Sequence, residues 1–174
     1  AERFGLMPAV DAWVVRQDAG LAEADEVVDQ SYYAHYAQHC PIEPHVAFAY
    51  IEPEGRLVIV TSTQVPFHVR RIVAQCLEIP IRQIRVIKPR IGGGFGVKQE
   101  VLMEDVVGMM ALRTQRPCFL DFTREEELVS SRTRHPIRTR TRLGAKKDGT
   151  ITAHGMDCLS NTGAYGSHAL TVVC

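Results

Sequence analysis

The sequence predicts an α+β fold with a mixed sheet, hairpins and packed helices, and three observations lead there. Two pairs of β-branched runs flank tight-turn residues, at Val46–Glu52 with Arg56–Ser62 and at Ile137–Leu143 with Ile151–Leu159. Two segments between them carry apolar residues at helical spacing beside short strands. At 174 residues and 45% hydrophobic content, the chain has enough apolar material for one ordinary domain with a proper core.

Residues 1–22 carry Gly5, Pro8 and Gly20 with little periodicity and read as a lead-in or linker; residues 23–174 then form the domain. Val27, Val28, Tyr32, Tyr33 and Tyr36 make Asp25–Ala37 a strand. The turn Pro53-Glu54-Gly55 joins the next two strands as a hairpin. Pro66 suits a first helical turn, and Val69, Ile72, Val73 and Cys76 follow as one apolar face, with Pro80 ending the helix. Ile84–Ile87 is a short strand. Leu102, Val106, Met109 and Met110 mark a second helix, stopped by Arg113, Arg116 and Pro117. Cys118–Phe122 reads as a short buried strand, and Thr123-Arg124-Glu125-Glu126 as a capping box opening a brief helix. Asp148-Gly149 is a tight turn between the last two strands, and Asn161–Ser167 is a glycine-rich loop.

Lys plus Arg equal Asp plus Glu at 20 each, so net charge recommends neither nucleic acid nor a membrane surface. The arginines Arg138, Arg140 and Arg142 share one strand face, but no aromatics interleave for base stacking, so a solvated face is expected. No apolar run is long enough for a membrane span, and the N-terminal residues do not resemble a signal peptide. Cys40, Cys76, Cys118, Cys158 and Cys174 are odd in number and never in CxxC spacing. They are expected to be reduced thiols in the cytoplasm, without a disulfide framework or a metal site of their own.

The densest signal is Arg90–Glu100, RIGGGFGVKQE. Four glycines in five positions imply positive φ or close backbone approach to a ligand. The dinucleotide fingerprint would need glycine where Val97 stands, and a Walker A loop would need Gly-Lys-Ser/Thr where Val97-Lys98-Gln99 stands. Backbone N–H groups of Gly94–Gly96 at a helix start would still seat an anionic or oxo-bearing group. Phe95 is either a wall against a flat or bulky group or a core residue of a tight turn.

With QHCPIEPH (38–45), TSTQVPF (61–67), RVIKPRIGGGFGVKQE (85–100), TREEELVSSRTRHP (123–136) and GAKKDGTITAHGMDCLSNTGAYG (144–166), the chain resembles the molybdenum-binding subunit of the xanthine dehydrogenase/aldehyde oxidase family. Its bacterial xanthine dehydrogenase branch is the most similar. The resemblance spans about residues 24–168 and implies a partial molybdopterin-binding domain. The family hydroxylates purines, other N-heterocycles or aldehydes with oxygen from water, on a molybdenum held by a pterin dithiolene.

The resemblance places Gln64, Gly94, Phe95 and Gly96 at the cofactor, with Gln64 hydrogen-bonding a molybdenum ligand. Gln99 falls where mammalian xanthine enzymes bind the purine with a glutamate, so it is the substrate-facing candidate. Glutamine there keeps hydrogen-bonding capacity but loses the charge. Glu43 and His45 match a Glu-x-His pair and are read as structural. No direct protein ligand to the metal is expected. The family's catalytic glutamate and most pterin contacts lie in later segments, so no catalytic residue is expected here, and the isolated segment should be inactive. The cofactor is molybdenum-molybdopterin, with the cytosine dinucleotide form as one option; 2Fe–2S clusters and FAD belong to other domains or subunits. The partners implied are the rest of the molybdenum-binding chain, those redox domains, a small-molecule substrate and a second copy of the assembly. The alternative is a non-catalytic assembly or anion-binding module that kept the fold.

Overall fold

A computed structural model describes residues 17–163. In chain order its strands begin with β1 (Glu26–Ala34), β2 (Ala37–Gln38), β3 (Val46–Ile51) and β4 (Leu57–Thr61). Helix α1 (Pro66–Cys76) leads to β5 (Ile84–Ile87), and α2 (Glu104–Thr114) leads to β6 (Cys118–Asp121). Then follow α3 (Arg124–Ser130), β7 (Thr133–Arg134), β8 (Ile137–Ala145) and β9 (Ile151–Ser160). The described residues divide into two units, one of residues Ala37–Arg134 and one built from residues 17–36 with 135–163.

In the unit of residues 37–134, a four-stranded sheet has the order β5-β4-β3-β6. The expected hairpin is there: β3 and β4 run antiparallel with Ala49 opposite Ile59, and Gly55 turns the chain at φ 79°. β4 and β5 are parallel, joined through α1, which makes the sheet mixed. Ala47, Ala49, Leu57 and Ile59 face inward, packed with Val69 and Val73 of α1 and Val107 and Ala111 of α2.

Helix α1 begins at Pro66 as the sequence predicts, but Cys76 is exposed and Leu77 takes its place against the core. Residues 69, 73 and 77 run along one ridge at i, i+4 spacing, whereas Cys76 projects to the edge of that face, about 60° from Val73. The helix stops at Cys76, before Pro80 has any part in it. Glu78, at φ 54°, closes it, with its N–H on Gln75 O and the Ile79 N–H on Ala74 O. That pair of bonds is a Schellman ending.

Helix α2 turns the opposite face inward from the one its bulky residues predict. Glu104, Val107, Gly108 and Ala111 are buried, while Val106, Met109 and Met110 are about half exposed. Small residues win because they let the helix axis approach the sheet: a Cβ on Gly108 would meet Leu57 Cδ2 at 3.3 Å and Ile59 Cδ1 at 3.4 Å. Strand β6 is likewise not fully buried. It is the sheet edge, and Phe119 is 66% exposed while Cys118 and Leu120 turn inward.

The register brings several chain segments to one end of this sheet. Val60 pairs with Ile87, Ala47 with Thr61, and Val46 with Asp121. The exits of β4, β5 and β6 and the entry to β3 therefore lie together. Open sheets bind ligands outside the carboxyl ends of parallel strands. Gln64 and the glycine loop both follow such ends.

In the other unit, β1, β8 and β9 form an antiparallel sheet in that order. Gly149, at φ 89°, turns β8 into β9 as expected from Asp148-Gly149. Arg138 and Arg140 are exposed, and Arg140 holds Asp29 of β1 through two hydrogen bonds of 2.8 and 2.6 Å. Residues 17–22 are helical. The expected loop Asn161–Ser167 lies outside the described residues from position 164 on, as does Cys174.

Because α2 sits so close to the sheet, Gly108→Val is expected to destabilise the protein by about 1–3 kcal/mol through overpacking. Thermal unfolding measures this; an unchanged midpoint would show that the helix can move outward freely.

Candidate functional site

Between β5 and α2 the chain makes the glycine loop, and its geometry explains the composition. Gly93 and Gly96 adopt φ of 107° and 99°, which a side chain at either position would strain. Gly94 is glycine for a different reason. Its φ is not in the left-handed range, but a Cβ there would stand 2.6 Å from Gln64 Oε1 and 2.7 Å from Gln64 Cδ. Gly92 likewise lies against Glu43, whose Cβ would be 2.6 Å from an added methyl.

The loop does not open an α-helix, as the sequence suggested. A short 3-10 turn, Val97–Gln99, follows Gly96, then extended Glu100, and α2 starts only at Glu104. Glu104 itself sets that delay. Its buried carboxylate accepts from the Leu102 N–H at 3.1 Å, the Met103 N–H at 3.3 Å and the Thr61 hydroxyl at 2.9 Å. A carboxylate thus satisfies the donors at the start of α2 from inside the fold.

Gln64 sits three residues beyond β4 and is tied to the loop at both ends of its residue. Its backbone N–H donates to Lys98 O at 2.8 Å. Its side-chain Oε1 accepts from the Gly96 N–H at 2.9 Å and from the Lys98 N–H at 3.3 Å. Two backbone donors on one oxygen decide which way the amide lies, so the NH2 end faces away from them. No hydrogen bond among the described residues uses Gln64 Nε2. The Gly96 N–H is therefore already taken and is not part of an open anion seat. Those of Gly94 and Phe95 carry no bond among the described residues.

Phe95 is the exposed member. Its φ of 54° is left-handed, and 72% of its surface is open. A core role for Phe95 is ruled out. A large apolar side chain held outward on strained backbone is a mark of contact with something else. Gln99 is half-buried in the 3-10 turn beside it. Gln64, Gly94, Phe95, Gly96 and Gln99 thus lie on one short stretch of chain and the glutamine that braces it.

Two side-chain pairs support this region, and no sequence spacing signals either partnership. Lys98, 1% exposed, donates from Nζ to Glu43 Oε1 at 2.6 Å. Glu127, fully buried at the end of the sheet, accepts from the His45 N–H and pairs with His45 Nδ1, each at 2.8 Å. Glu43 and His45 are thus structural partners in the sense expected of them. Their partners stand 55 and 82 residues away. α3 carries Glu127 there and starts at the expected capping box, with Thr123 Oγ1 accepting from the Glu126 N–H at 3.2 Å.

Burial is the largest influence on Glu127 and opposes its ionisation. The hydrogen bonds from the His45 ring and N–H, with the His45 charge and Ser131, outweigh it and hold the carboxyl below its usual value.

A cavity of about 280 Å3 lined by Arg56, Phe67, Arg70, Arg85 and Lys88 includes none of the loop residues, so enclosed volume does not mark the site. Among the described residues no group of His, Cys, Asp and Glu is arranged to hold a metal ion, and no helix is long and apolar enough to cross a membrane.

Residues 11–174 match the model of the molybdopterin cofactor-binding domain. A probable hypoxanthine oxidase of Escherichia coli is 42% identical over 172 residues, covering 99% of this chain and 18% of that protein. A putative xanthine dehydrogenase molybdenum-binding subunit of Escherichia coli is 41% identical over 150 residues, covering 86% of this chain and 20% of that one. Aldehyde oxidoreductase from Desulfovibrio gigas superposes with a TM-score of 0.73 at 30% identity, over 82% of this chain and 16% of that structure. The chain thus spans about a fifth of the length of these relatives.

Since Glu127 is ionised more readily folded than unfolded, its stabilising effect is full above the unfolded-state glutamate value and is lost as pH falls through the lower folded value. Glu127→Gln should cost about 1–3 kcal/mol at neutral pH and flatten the acid limb of stability against pH. Thermal unfolding from about pH 3 to 7 tests this; parallel curves for variant and parent would show that another group governs the acid limb.

Proposed function

Because the chain belongs to the molybdopterin cofactor-binding domain family, we propose that its glycine loop and Gln64 form one wall of the molybdenum site in a molybdenum hydroxylase. The observation that carries this is the amide of Gln64. Gly96 and Lys98 occupy its oxygen and leave its NH2 without a partner among the described residues. A neutral donor held in one orientation suits an oxo group on a metal complex, since it adds no charge. Gly94 keeps that amide in place by offering no Cβ. Phe95, open to its surroundings, supplies an apolar surface beside it.

When bound, the molybdenum centre supplies two-electron oxidation of the substrate with oxygen taken from water. The substrate is a purine, another N-heterocycle or an aldehyde, and the similarity to a probable hypoxanthine oxidase and a putative xanthine dehydrogenase subunit favours a purine. Gln99, half-buried one residue beyond Lys98, is the substrate-facing residue in this reading. The remainder of the molybdenum-binding chain completes the site and holds the pterin, with the cytosine dinucleotide as one form. Electrons pass to 2Fe–2S and FAD domains or subunits, in a cytoplasmic assembly that pairs with a second copy.

Gln64→Ala removes the donor and the brace together. It should lower the rate of enzyme reduction by substrate roughly tenfold to a hundredfold, the effect of about 1–3 kcal/mol, and by more than it lowers molybdenum content. Stopped-flow reduction alongside metal analysis decides it, and an unaltered rate constant returns Gln64 to a purely structural role.

Gln99→Glu places a titratable group on the substrate side, one that accepts from a purine N–H but cannot donate as the amide does. The ratio of kcat/KM between purine and aldehyde substrates should shift toward purine, with a new pH dependence. Steady-state kinetics with both substrates from about pH 5 to 9 checks this, because an exposed residue would change little, within about 0.5 kcal/mol.

A further inference from the structure

Lys98 is among the largest fully buried side chains of the described residues, at 1% exposure, and a buried ammonium is retained only with a partner. Its partner, Glu43, comes from the segment before β3 and is itself about one-third exposed. Glu43 also grips the loop by backbone: its N–H donates to Gly92 O at 3.2 Å. At the other end of the same residue, the Lys98 peptide groups hold Gln64. Lys98 O accepts from the Gln64 N–H at 2.8 Å and from the Thr63 hydroxyl at 3.3 Å, and the Lys98 N–H reaches Gln64 Oε1. Three segments, at 43, 63–64 and 92–98, therefore meet at one lysine. Inside the 3-10 turn Lys98 departs from helical backbone, with φ −95° and ψ 37°. Its peptide is held by Thr63 and Gln64, and its side chain is tethered separately by Glu43.

We propose that the Glu43–Lys98 pair is the positioning element of the site. It fixes where the Lys98 peptide stands, and through it the direction of the Gln64 amide. This rests on the reading of Gln64 as a cofactor-facing donor. The pair touches neither cofactor nor substrate in this account and acts only through Gln64. A pair kept merely for stability would be replaceable, since an apolar pair of similar volume is often neutral or better. A positioning pair is not replaceable in that way, because Met and Leu have no directional tether.

The test uses the full-length enzyme with Glu43→Gln, Lys98→Met, the double variant Glu43→Leu/Lys98→Met, and Gln64→Ala as reference. Amide hydrogen exchange at Gly96 and Lys98 reads the clamp directly, with or without cofactor. In Glu43→Gln and Lys98→Met it should rise about tenfold or more, as in Gln64→Ala, while Ala49 and Ile59 stay protected. The double variant should recover thermal stability but not protection at Gly96 and Lys98. In the loaded enzyme, the Mo(V) paramagnetic spectrum should change in Glu43→Gln and kcat should fall with little change in KM. Should Lys98→Met not fold, Glu43→Gln, which keeps the side chain's size, carries the test alone. Parent-like exchange and spectrum in Glu43→Gln overturn the proposal, as does a double variant that regains protection together with stability. If exchange rises while no variant, Gln64→Ala included, alters the spectrum, the clamp stands and the cofactor-facing role of Gln64 fails. If only Gln64→Ala and not Glu43→Gln alters the spectrum, that role stands and the positioning pair fails.

Discussion

A single carbonyl oxygen organises the glycine loop. Gln64 Oε1 accepts backbone N–H groups from the loop at Gly96 and from the short 3-10 turn at Lys98, and Gln64 returns a donor to Lys98 O. Loop peptide groups need partners as much as those in a sheet do. Here a side chain supplies them, so loop and glutamine cannot be placed independently. The missing Cβ at Gly94 follows from the same contact: the amide fills the volume a side chain would need. The left-handed φ angles on either side bend the chain around that amide and leave Phe95 pointing outward.

The sheet beneath makes this arrangement possible by delivering distant segments to one end. Parallel pairing of β4 with β5 sends two strand exits the same way, and antiparallel β3 enters where they leave. Small residues, Ala47 and Ala49 on the sheet, Ala111 on α2 and Gly108 against Leu57 and Ile59, let α2 lie close to the sheet, where Glu104 reaches Thr61. Packing and polar satisfaction thus point to the same placement. That agreement across levels is what lets a sequence specify one arrangement.

Local signals were legible in the sequence where local physics decides. Pro53-Glu54-Gly55, Asp148-Gly149, Pro66 and the Thr123–Glu126 box each fixed a turn or a helix start where the structure has one. The face of α2 was not, because periodicity counts bulky residues, while sheet contact favoured Gly108 and Ala111. Cys76 misled for a related reason: the projected face drifted, and Leu77 completes it. The loop's composition announced close approach, but not that Gln64 itself is what it approaches. The Glu43–Lys98 ion pair and the His45–Glu127 hydrogen bond join positions that no spacing rule connects. Only the fold brings them within reach.

Parallel pairing of β4 with β5 also divides the connection between them into two regimes of tolerance. From Leu77 to Gln83 the chain crosses the far end of the sheet through the Schellman ending and a short 3-10 turn, away from Gln64 and the glycines. Lengthening a surface loop costs little, about 0.6 kcal/mol for each doubling. Insertions there should be absorbed as the family diverges. Thr63 and Gln64 are instead spaced against Gly96 and Lys98 by four hydrogen bonds, each within 3.3 Å. One added residue in either stretch would carry Gln64 out of step with Gly96. Length drift in this fold therefore belongs to one end of the sheet, and length constancy to the other.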